Sequence, residues 1–159
     1  MTAVDETVPG WLPDEVVLDQ PTRSSRLRWV LVVDADLPAG VAVNAAACTA
    51  AQVGSSVAGL LGPGGPDADG TFHPGLPWAG CSVLAAPAEQ LSGIAAKAAA
   101  ALGVWAVGMP ASAQTNRVYA EYLQELATTP ADGLALRALS LVGPRNRIDK
   151  LVGKLPLLR

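Results

Sequence analysis

Two carboxylates, Asp34 and Asp36, stand two residues apart where the apolar run Trp29–Val33 ends. In an extended strand such a spacing points both side chains the same way. Adjacent carboxylates repel, so one can keep its proton; the pair could work as acid and base, or hold a divalent cation. The plainer reading, preferred here, is that one caps the following helix and the other satisfies loop amides. His73, the chain's single histidine, lies in the run DADGTFHPG beside Asp67 and Asp69, as a general base, a substrate-orienting group or an ordinary surface residue. The DADG run is too short for a calcium loop.

Ser112, Gln114, Thr115 and Asn116 form a polar group after an apolar stretch, with hydroxyls and amides able to bind a carbonyl or hydroxyl of a small ligand. One of Thr115 and Asn116 is expected to cap the helix that follows. Asn44 lies on an otherwise apolar helix, where an amide needs a partner or a ligand. Cys48, one turn on, reads as a small buried apolar residue rather than a nucleophile. Arg145, Arg147 and Lys150 could hold a phosphate, against the plainer alternative of a solvated surface with Asp149 pairing locally. From these residues a cleft is expected in which Asp36, His73 and Thr115 take catalytic positions. Asp34, Asn44, Ser112, Gln114 and Asn116 would bind ligand there. No metal site and no cofactor are expected.

These residues need elements to hold them. A continuous apolar run bounded by turn signals predicts a strand buried on both faces over about 27–33. The alanine-rich segment after it predicts a helix over about 38–54, with Asp36 as cap and Pro38 in the first turn. Residues 54–80 hold eight of the sixteen glycines and four prolines, hence a long loop. Further strands are predicted over about 81–86, 104–107 and 134–142. Further helices fall after Pro87, over 117–127 and over 148–152. Leu91, Ile94, Ala95, Ala98 and Leu102 form the buried stripe of the second helix, and Val118, Tyr122, Leu123 and Leu126 that of the third. Strand–helix alternation favours a four-stranded, mostly parallel sheet in a three-layer α/β/α domain. Residues 1–26 read as an acidic leader and 27–159 as the single domain.

Half the residues are hydrophobic but only 4% aromatic, so the core must be built from Val, Leu and Ala. The net charge of −3 divides unevenly: residues 1–20 carry −5, and the last 23 carry +5. Such ends can simply solvate the surface or pair with one another; a basic end can also attract phosphates, though no aromatic residues interleave with it. No apolar run approaches the ~20 residues of a membrane span. MTAVDETVPG lacks the regions of a signal peptide, and two cysteines make no disulfide framework. A reduced, cytoplasmic setting is the expectation, with homodimerisation left open.

Three stretches together resemble the type II peptidyl-tRNA hydrolase superfamily: VVDADLPAG, GVWAVGMPASAQTN and LSLVGPRNRIDKLVGKLPLLR. In the third, Gly143, Pro144, Ile148, Asp149, Lys150 and Gly153 fall in register with the family's closing motif. The closer resemblance is to a bacterial sister family of unknown function. The resemblance to the superfamily implies the α/β fold above and hydrolysis of an ester or amide such as aminoacyl- or peptidyl-tRNA. Acyl transfer in a biosynthetic pathway, or a non-catalytic small-ligand-binding module, are the alternatives. The superfamily's substrate-contacting lysines have no counterpart, since Val41, Ala42 and Val43 follow Gly40. Its loop aspartate falls in the region of Met109–Ser112, where there is no acid; only Asp36 carries over.

Overall fold

The computed structural model describes residues 8–159, so Asp5 and Glu6 of the acidic leader lie outside the described residues. The main strands are β1 (Leu27–Asp34), β4 (Ser82–Ala86), β5 (Trp105–Pro110) and β6 (Leu136–Pro144), with a small hairpin of β2 (Gly65–Pro66) and β3 (Phe72–His73). The helices are α1 (Ala39–Ser56), α2 (Ala88–Ala99), α3 (Ser112–Thr115), α4 (Tyr119–Thr128) and α5 (Arg145–Val152). None is long and apolar enough to cross a membrane.

The sheet has the order β4–β1–β6–β5. Only β1 and β4 pair in parallel; β6 is antiparallel to both β1 and β5. The sheet is therefore mixed, not mostly parallel. The reason lies in the link between β5 and β6. A parallel pair needs a helix that crosses the sheet, but α4 buries none of its residues and packs on α3. It is an excursion that returns the chain to the edge it left. Accordingly Val118 and Leu123 are half exposed, and only Tyr122 and Leu126 are partly covered. Likewise α2 stops before Leu102, which is exposed, and Gly103 takes the left-handed conformation (φ 72°) that ends the segment.

β1 holds the centre as its apolar run demands. Val30 and Val32 face Leu91, Ile94 and Ala98 of α2 and Ile148 and Val152 of α5. Trp29, Leu31 and Val33 face the other way, toward Ala42, Ala45 and Val53 of α1. The hydroxyls buried between α1 and β6 are satisfied: Ser140 Oγ donates to Thr49 Oγ1 (3.1 Å), which donates to the Ala46 carbonyl.

The residues before β1 dock on this core. Trp11 is 3% exposed, its amide donates to the Ala58 carbonyl, and its ring meets Trp78 edge-on at 5.7 Å. Arg26 pairs with Glu15 and, with the Leu12 amide, holds that carboxyl down to about 2. At the other end, the Pro156 carbonyl and the Leu158 amide bond to β4 and cover its outer edge. Because β1 and β5 are both antiparallel to β6, they run in the same direction. Their carboxyl ends, and the start of β6, meet at one edge of the sheet.

Candidate functional site

At that edge the ladder between β5 and β6 is irregular. Met109 pairs with Ala138 and Pro110 with Leu136, which leaves Arg137 as an extra residue in β6. Strict alternation would place Arg137 with Leu139 and Leu141, in the apolar layer beneath α2. There its guanidinium would be stripped of water without a partner. The bulge turns it over: Leu136 and Leu139 stay on the α2 face, while Arg137 and Ala138 both lie toward α1. Bulges re-aim side chains in this way beside functional sites.

Arg137 thereby enters a cleft of about 550 Å³ between α1, the end of β5 and α3. Gly40, Val41, Asn44 and Cys48 line one wall, and Met109, Ala113, Gln114 and Thr115 the other. Asn44 and Cys48 share a wall with Gly40 because residues four apart share a helix face. Arg137 makes no ion pair among the described residues, and no lining residue carries a carboxylate.

Gln114 spans the cleft. Its Nε2 donates to the Val41 carbonyl (3.0 Å) and to Asn44 Oδ1 (2.9 Å). A backbone carbonyl only accepts, so the first bond fixes which end of the Gln114 amide faces α1. The second fixes Asn44 in turn: its oxygen is committed to Gln114, and its Nδ2 donors are left over. The arrangement has a cost. Gln114 Oε1 is buried with no donor among the described residues, which costs about 1–3 kcal/mol for an unpaired polar group.

The other residues singled out in the sequence lie elsewhere. Asp34 Oδ1 accepts the Asp36 amide (3.0 Å), which is the loop-amide role. The helix cap expected of Asp36 is absent: the residue before α1 is Pro38, with no side-chain cap. Neither aspartate lines the cleft. His73 is not brought there either. Its loop is pinned near the start of β1, where Leu60 and Trp78 pack with Trp11, Leu27 and Trp29. The exposed His73 ring bonds to Asp67 Oδ2 (2.9 Å), and this bond, with the Thr71 amide, holds the Asp67 carboxyl below its ordinary value.

Ser112 is buried at the start of α3 and is not a lining residue of the cleft. Asn116 is a strap: its Nδ2 donates to the Ser112 carbonyl and to Glu125 Oε2, tying α3 to α4. Neither it nor Thr115 caps α4, whose preceding residue is Val118. Cys48 is exposed rather than buried, because the inward stripe of α1 is Ala42, Ala45, Thr49 and Val53.

The closing motif is spent on structure. Arg145 donates to the Ser25 and Thr22 carbonyls, and Arg147 to the Leu102 carbonyl. Asp149 pairs with Arg28 on β1, not locally, and Ile148 is fully buried. Two of the three expected phosphate ligands are thus engaged with backbone carbonyls, and the third, Lys150, is exposed.

A search of curated proteins finds no match. Among solved structures, a protein of unknown function from Agrobacterium tumefaciens str. C58 is similar, with a TM-score of 0.71 at 17% identity. The likeness covers 83% of this chain and 97% of that one, and at this identity it speaks for the fold. The family described as Protein of unknown function (DUF2000) matches residues 27–159, which takes in every main strand, the closing motif and the whole cleft. The chain belongs to the DUF2000 family.

Proposed function

We propose that the protein is a small-ligand-binding or regulatory module. It keeps a three-layer fold of the type II peptidyl-tRNA hydrolase kind without that superfamily's chemistry. The kinship rests on the three sequence stretches that border the cleft and close the fold. The observation that carries the functional reading is the makeup of the cleft: Asn44, Thr115 and Arg137 bring hydrogen-bond donors, and no lining residue brings a carboxylate or an imidazole. Hydrolysis of an ester or amide draws a factor of roughly 10²–10⁴ from a positioned acid or base. These walls bring neither a carboxylate nor an imidazole to that role. They offer shape, a cation and amides, which serve recognition.

Hydrolysis or acyl transfer is the second reading, favoured by Cys48 and Thr115, two nucleophile types that line the cleft. Incubating the protein with aminoacyl-tRNA and peptidyl-tRNA separates the two. Binding predicts release at the protein-free rate. Release that Cys48→Ala or Thr115→Ala abolishes would replace the binding reading with a catalytic one.

A further inference from the structure

We infer that the ligand of this cleft presents an oxyanion, a carboxylate or a phosphate, to Arg137 and Asn44. The inference rests on the cleft being a binding site and adds the chemical class of what binds. Arg137 is the cleft's only charged side chain among the described residues, and the bulge in β6 exists at the position that directs it there. A guanidinium presents five donors and no acceptor. Asn44 could have offered either end of its amide. Gln114, itself oriented by the Val41 carbonyl, takes the oxygen, so the Nδ2 hydrogens remain for the cleft. Thr115 adds a hydroxyl on the facing wall. Donors on facing walls beside one cation match an acceptor-only, negatively charged group. A cationic or donor-rich ligand would meet like charge at Arg137 and hydrogens opposed to hydrogens at Asn44.

The polarity is therefore built from the Val41 carbonyl through Gln114 to Asn44. It is held at the expense of an unpaired Gln114 Oε1, which a site indifferent to polarity would not need.

The test is titration of the full chain, followed by NMR on the Arg137 Nε–H and the Asn44 side-chain amide. The probes are inorganic phosphate, acetate and the uncharged acetamide. Both resonances should shift with an anion and saturate, and acetamide should bind at least about tenfold more weakly than acetate. Arg137→Met should weaken anion binding by at least about tenfold, and Arg137→Lys, which keeps charge but loses the fork, by less. Preference for phosphate or for acetate then tells which oxyanion the cleft takes. Acetamide binding as tightly as acetate, with the same resonances shifted, would overturn the oxyanion and leave the cleft a binding site. No shift at either resonance with any probe would overturn the oxyanion together with the cleft.

Discussion

Replacing Gln114 by methionine separates a residue kept for stability from one kept to set polarity. The substitution removes two hydrogen bonds from Nε2, to the Val41 carbonyl and to Asn44 Oδ1. At roughly 0.5–1.5 kcal/mol each, their loss costs about 1–3 kcal/mol. It also removes Oε1, the buried acceptor without a donor, and so returns about 1–3 kcal/mol. Methionine is close in length and flexible enough to fill the space. At the midpoints of these ranges the two contributions cancel, so thermal unfolding should move by no more than about 2–4 °C. Phosphate binding should nevertheless weaken, because Asn44 loses the partner that commits its oxygen. Calorimetric melts of the two proteins, with phosphate titrations of both, provide the comparison. A fall in Tm beyond about 6 °C would refute the reasoning, since Gln114 would then be an ordinary strap between α1 and α3. Unchanged phosphate affinity would refute the polarity argument.

Trp11→Ala empties the seat between Trp78 and the end of α1, and at about 3–5 kcal/mol for a buried Trp it should lower Tm by roughly 6–20 °C. A loss under about 1 kcal/mol would mean that the segment before β1 is not part of the core. Gly143→Ala places a Cβ 3.0 Å from the Gly103 carbonyl oxygen and 3.1 Å from Val104 Cα, so backbone must move, and a cost of about 1–3 kcal/mol is expected by denaturant unfolding. An unaltered midpoint would contradict the structural role assigned to the closing motif. The Glu15–Arg26 contact should respond to acid. Glu15's folded pKa, about 2, lies below its ordinary 4.5, so its contribution is complete above that ordinary value and is lost as pH falls through about 2. Wild type and Glu15→Gln should thus differ in proteolytic cutting near residues 8–26 at neutral pH and converge toward pH 2; a gap independent of pH would rule the carboxylate out.

How much was legible depended on whether a feature announces itself through residue type or through geometry. Trp29–Val33 reads correctly as the central strand because only a strand buried on both faces tolerates such a run. The meeting of the turn after β1 with the polar segment after β5 was also legible, since the two strands run the same way. Strand–helix alternation does not say whether a helix crosses the sheet, and α4 does not, so the mixed sheet stayed hidden. Composition shows that His73 sits in a long loop but not where that loop goes, and Leu60 and Trp78 pin it near the start of β1. By residue type Arg137 is only one charge among those of the basic last 23 residues. Its strand, LRALSLV, carries a charge where alternation demands an apolar residue, and that conflict was the available sign of a bulge. Cys48 was equally recoverable: Ala42, Ala45, Thr49 and Val53 already mark the inward stripe of α1, and Asn44 and Cys48 fall off it together.

A crystal structure of the full chain grown with phosphate tests the central claim most directly. The account predicts phosphate oxygens within hydrogen-bond distance of both the Arg137 guanidinium and Asn44 Nδ2, with the Gln114 amide still bonded to the Val41 carbonyl. An Arg137 side chain turned onto the α2 face, or directed into solvent with phosphate bound elsewhere, would contradict it.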